Sequence, residues 1–104
     1  MNVAAYTPDL MDRSKISAAV PGCRFVTRPE ALVGLADIDL VLVDLSKKGA
    51  LDVIPGIVDG GVRLIAYGSH VDKDLLASAT AAGCTEVLPR SKFFAGLAAL
   101  LDAL

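Results

Sequence analysis

Apolar residues arrive along this chain in five short runs, each followed by a stretch in which they recur every three or four positions. The densest run is Asp39-Leu-Val-Leu-Val-Asp44, Val-rich and without polar alternation. Such a run predicts a strand buried on both faces of a parallel sheet. The same signal places strands at about 2–6, 23–27, 38–45, 62–67 and 85–88.

Between the strands the period lengthens to that of a helix. Thr7-Pro8-Asp9 opens the first helix, with Thr at the N-cap, Pro in the first turn and Asp near the positive end of the dipole. That helix runs through Leu10, Met11 and Ile16 to Val20 and stops at Pro21-Gly22. Pro29-Glu30 starts a brief second helix. After the third strand, Ser46-Lys47-Lys48-Gly49 reads as a loop, and the next helix is poor, interrupted by Pro55-Gly56 and closed by Gly60-Gly61. The helix over 72–82 lines up Leu75, Leu76, Ala79 and Ala82 and ends at Gly83, a natural C′ residue. A last helix carries Phe93, Phe94, Leu97, Leu100, Leu101 and Leu104 at helical spacing, a core stripe against the sheet.

Five strand–helix units with short connections imply an α/β domain, a parallel sheet with right-handed crossovers and helices on both faces. The 104 residues suit one domain, 1–104, with an open flavodoxin-like sheet; an eight-unit barrel needs more chain. Although 54% of the residues are apolar, no run approaches the roughly 18 that a membrane helix needs. Ten basic and 12 acidic residues are spread evenly, so nothing points to nucleic acid or a membrane surface. The first residues lack a signal peptide's basic and apolar regions, so a cytoplasmic protein is expected. Cys23 and Cys84 have no metal or redox spacing and read as small buried hydrophobes. His70, the one histidine, reads as exposed in the loop before the fourth strand's helix.

The chemistry concentrates on Asp44, a carboxylate at the tip of a buried strand, where open α/β sheets place ligands. Three roles are open to it: phosphoacceptor, strand-end cap or ion pair with Arg90 or Lys47, and ligand contact. Thr7, Ser46 and Ser69 read most simply as helix caps, although the same hydroxyls could cradle an anion at a helix N-terminus. No nucleophile elbow, dinucleotide fingerprint or phosphate loop is present, so an enzyme is not expected.

Two stretches resemble the receiver domain of response regulators. Asp39-Leu-Val-Leu-Val-Asp44-Leu45 is similar to the receiver's third strand with its phosphoaccepting Asp. Ala82-Gly83-Cys84-Thr85-Glu86-Val87-Leu88-Pro89-Arg90-Ser91 is similar to the segment that ends in the receiver's Lys-Pro. The resemblance spans the whole chain in element order. It implies a three-layer, CheY-like sandwich whose five-stranded parallel sheet runs 2-1-3-4-5, with the face of the helix over 72–82, the fifth strand and the last helix as partner or dimer surface.

Several receiver parts are replaced. The acidic pair that binds Mg²⁺ after the first strand corresponds to Thr7 and Pro8, the phosphate-contacting Lys to Arg90 and its Pro to Ser91. The expected Thr or Ser after the fourth strand falls on Gly68 or Ser69, and the switch aromatic becomes Val87. A degenerate receiver follows: a non-catalytic regulatory or interaction domain acting on another protein or on itself, with no cofactor. Mg²⁺ enters only if Asp44 is a working phosphoacceptor, the alternative reading. A small-anion sensor built from Thr7, Asp44, Ser46, Ser69 and Arg90 is a second alternative.

Overall fold

A computed structural model of the chain describes residues 1–102. Five parallel strands, β1 (Val3–Tyr6), β2 (Arg24–Phe25), β3 (Leu40–Asp44), β4 (Arg63–Gly68) and β5 (Glu86–Pro89), form one sheet in the order β2-β1-β3-β4-β5. The helices are α1 (Leu10–Ala19), α2 (Ala50–Asp59), α3 (Lys73–Ala81), α4 (Arg90–Ala95) and α5 (Leu97–Asp102), with a 3-10 turn at Pro29–Leu32.

Strand periodicity sorts the side chains into two cores. Val3, Ala5, Leu40, Leu42, Ile65 and Tyr67 face Ile16 of α1, Phe93 of α4 and Leu97 of α5. Ala4, Tyr6, Val41, Val43, Leu64 and Ala66 face Ala50, Ile54 and Ile57 of α2 and Ala79 of α3. Every residue of β3 is buried, as an unalternating run requires. Each such aliphatic side chain contributes about 1.5–3 kcal/mol on leaving water. Cys84 packs against the second of these cores and Cys23 against the first, both half-buried.

Four helices depart from what the sequence predicts. Asp9, rather than Thr7, caps α1: its carboxylate accepts from the amides of Met11 and Asp12 at 2.9 and 3.0 Å. α2 is continuous over ten residues with Pro55 inside it, because the buried row of Ala50, Ile54 and Ile57 outweighs the lost backbone bond. Gly49, at φ +88°, is its N-cap, a conformation only glycine adopts readily, so Ser46 is not the cap. Asp72, not Ser69, caps α3 through the Leu75 amide at 3.3 Å. The last helix divides at Gly96 into α4 and α5; Phe93 and Leu97 are buried as the stripe requires, and Leu104 lies outside the described residues.

The order of strands reverses between β1 and β3, since β1 leads outward to β2 on one side while β3, β4 and β5 follow on the other. The carboxyl ends of strands at such a reversal are where open α/β sheets bind ligands.

Candidate functional site: a cleft closed by an internal ion pair

Parity along the strands selects what stands at these carboxyl ends. Thr7 continues the alternation of Val3 and Ala5, Asp44 that of Leu40 and Leu42, and Tyr67 that of Ile65. Asp44 and Tyr67 are register partners across β3 and β4. All three side chains therefore stand at one sheet edge, on the face covered by α1 and α4. Thr7 and Asp44 are each 2% exposed and Tyr67 is fully buried.

Two charged groups from the covering helices close over them. Asp12, in the first turn of α1, is completely buried one turn before Ile16, on the same inward face. Arg90, the first residue of α4, grips both Asp12 oxygens through its two terminal nitrogens. The tyrosine hydroxyl donates to Asp12 Oδ2 at 3.2 Å and shares a hydrogen bond with Thr7 Oγ1. The Tyr67 ring stacks on Phe93 with centroids 4.4 Å apart, and Phe94 lies under the Arg90 guanidinium at 5.3 Å. Burial, with Asp44 and Asp12 nearby, holds the Tyr67 hydroxyl neutral, its pKa well above the ordinary phenol value. The hydrogen bonds that Arg90 donates to Asp12 raise the Arg90 pKa further, so its guanidinium stays charged.

The pairing of Arg90 corrects the expected one with Asp44. Asp44 turns instead to its own loop, where Oδ1 accepts from the Ser46 amide at 2.9 Å and the Ser46 hydroxyl at 2.7 Å. Lys47 makes no ion pair with Asp44; the two ion pairs found among the described residues join Arg28 to Glu30 and Arg90 to Asp12. Ser46 holds Asp44 in its own loop, while Asp12 in the first turn of α1 presents both oxygens to Arg90.

Of the other expected site residues, Thr7 lies in the cleft but as a partner of Tyr67 rather than a cap. Ser69 is exposed and its hydroxyl closes the next turn, accepting from the Val71 amide at 3.4 Å. Gly68 is tightly enclosed: a Cβ there would lie 3.3 Å from Leu76 Cδ2, which would have to give way, and 3.6 Å from Leu45 Cβ. The segment after β4 exposes His70 and Val71, whereas Tyr67 belongs to the cleft.

Neither Asp12 nor Tyr67 stands out in the sequence as a site residue. A signal for Asp12 exists: a carboxylate four positions before Ile16 occupies the apolar face of α1 and needs a buried partner.

These donors do not fit the Mg²⁺ that receivers use. Thr7 is engaged by Tyr67, both Asp12 oxygens by Arg90, and one Asp44 oxygen by Ser46. A divalent cation that demands six oxygens would also have to approach a guanidinium. Among the described residues no three His, Cys, Asp or Glu side chains are grouped to hold a metal.

Solved structures share this architecture. The BeF3-activated DrrB receiver domain superposes with a TM-score of 0.79 at 14% identity, over 98% of this chain and 94% of that one. Its fold is that of a CheY-like receiver domain. The CheY-like protein tadZ of Pseudomonas aeruginosa PAO1 matches this receiver fold with a TM-score of 0.76 at 16% identity, covering 99% of this chain and 98% of that one. A response regulator from Thermotoga maritima matches with a TM-score of 0.73 at 19% identity, covering 99% and 96%. No family model and no curated protein matches the sequence. No helix among the described residues is long and apolar enough to cross a membrane.

Proposed function

We propose that this chain is a receiver-like regulatory domain that acts by binding another protein or a second copy of itself, without robust Mg²⁺-dependent phosphotransfer. The observation that carries this reading is the double contact of Arg90 with the buried Asp12. By resemblance, Arg90 is the group that would grip a phosphoryl on Asp44. Here its fork is already filled, and the carboxylate that fills it is held by Tyr67 as well. Phosphoryl transfer gains its rate from cations poised on the developing charge. A cleft whose guanidinium is already paired with Asp12, and in which Ser46 holds one of the two Asp44 oxygens, has little to offer that reaction.

The partner surface we favour is the face of α3, β5 and α4–α5, by resemblance and because β5 is an edge strand, paired only with β4. An atypical phosphoacceptor remains the second reading, favoured by the place of Asp44 at the β1/β3 reversal. Incubation with acetyl phosphate and Mg²⁺, followed by intact mass, separates the two. The first reading expects no phosphoryl adduct. An adduct that disappears in Asp44→Asn would establish the second.

A further inference from the structure

An arginine fork lying on both oxygens of one carboxylate is the geometry in which proteins capture carboxylates and phosphates from outside. In this cleft the captured anion is part of the chain. Asp12 is wholly buried, whereas the Arg90 side chain is 44% exposed, so the guanidinium stands between the seat and the solvent. The seat has further walls. Tyr67 donates its hydroxyl to Asp12 Oδ2 at 3.2 Å, Thr7 backs that hydroxyl, and Phe94 supports the guanidinium face from 5.3 Å. No described buried side-chain polar atom is left without a partner, so the seat is fully satisfied by residues of the chain.

We infer that Asp12 is an internal ligand: it occupies an oxyanion seat formed by Arg90 and the Tyr67 hydroxyl, and so holds the cleft in an anion-bound arrangement that needs no phosphorylation. The inference rests on the reading of the cleft as unphosphorylated in ordinary use. It goes further in assigning Asp12 the place that an external carboxylate or phosphate takes at an arginine fork. Deleting the Asp12 side chain, with Arg90 retained, opens a seat for a small oxyanion. An amide at the same position fills the space without the charge and leaves the seat closed.

The test is thermal unfolding of the full chain as wild type, Asp12→Ala, Asp12→Asn and Asp12→Ala/Arg90→Ala. Each is measured in sodium acetate, in sodium phosphate and in sodium chloride of equal ionic strength. Ligands that bind only the native state raise its melting temperature. The expected result is a gain of about 5 °C in acetate or phosphate over chloride for Asp12→Ala, a size set by modest binding to a domain of this length. The other three proteins should show no such excess. Equal gains in all four would mean a general salt effect and overturn the inference, as would no gain in Asp12→Ala. Should Asp12→Ala fail to fold, Asp12→Ser opens the same seat and is read in the same way. Labelling of the wild type at Asp44 by acetyl phosphate would instead overturn the functional reading, whatever the anion does to the variants.

Discussion

Arg90 reaches across 78 residues of sequence to place its guanidinium on the carboxylate of Asp12, joining the first turn of α4 to the first turn of α1. The two partners are unequally placed: Asp12 is sealed from solvent and Arg90 is not. That asymmetry decides what each substitution does.

Arg90→Ala strands a buried carboxylate with only the Tyr67 hydroxyl for support, and loss of one partner of a buried pair costs about 3–5 kcal/mol. Asp12→Ala leaves a guanidinium that can turn to water, so its cost is nearer that of a lost hydrogen-bonded contact, about 1–2 kcal/mol. Urea unfolding of the two variants should therefore rank Arg90→Ala as the less stable. The opposite order would show that Asp12 does not depend on this partner.

Tyr67 contributes both a ring and a hydroxyl. Tyr67→Phe keeps the stack on Phe93 and removes the hydroxyl shared by Thr7 and Asp12, at a cost of about 1–2 kcal/mol. Adding Thr7→Val removes the other orphaned hydroxyl, so the double variant should be no less stable than Tyr67→Phe alone. Chemical denaturation of the single and double variants reads this coupling directly.

Stability should fall at alkaline pH. Burial pushes the Cys23 and Cys84 thiols up to about 11 from an ordinary 9.0. It also raises the Tyr67 hydroxyl above its ordinary 10.0. A group whose folded pKa is raised stabilises fully below its unfolded pKa and loses that contribution as pH climbs to the folded value. The thiols therefore begin to weaken the fold above about pH 9 and Tyr67 above about pH 10. Melting temperatures measured from pH 7 to 11 should decline over that window. Replacing both cysteines by Ala should remove the earlier part of the decline and leave the part due to Tyr67.

Gly68 is one of the two positions, with Ser69, on which a receiver's hydroxyl falls by resemblance. Gly68→Ser must push Leu76 aside and is expected to cost about 1–3 kcal/mol, the usual penalty of overpacking. Leu76→Ala in the same chain should recover part of that loss in a thermal melt. Full additivity of the two costs would show that Leu76 is not the obstacle.

Much of the fold was legible because it follows from short-range pattern. The unbroken run Leu40–Val43 demanded a doubly covered strand, and Gly83 at φ +108° stands where a helix ending was expected. The division at Gly96 and the unbroken α2 depended on what lay opposite them, which periodicity does not report. The candidate site was half legible. Asp44 lies at the sheet edge that its strand-tip position indicated, and Thr7 shares that edge. The partner of Arg90 was hidden, because residues 12 and 90 meet only once the sheet has been assembled between their helices. A capping role was assigned to Thr7, Ser46 and Ser69 by local propensity, yet Asp9, Gly49 and Asp72 hold those places. In two of the three cases a carboxylate within three residues was the stronger acceptor.

Whether the cleft takes up a phosphoryl group is read most directly from the amide ¹H–¹⁵N correlation spectrum of the wild type, titrated with Mg²⁺ and then with beryllofluoride. With Arg90 held by Asp12, the resonances of Thr7, Asp44, Ser46, Ser69 and Arg90 are expected to stay in place through both additions. Saturable shifts clustered on those residues, dependent on Mg²⁺ and absent in Asp44→Asn, would contradict this expectation and make Asp44 a working phosphoacceptor.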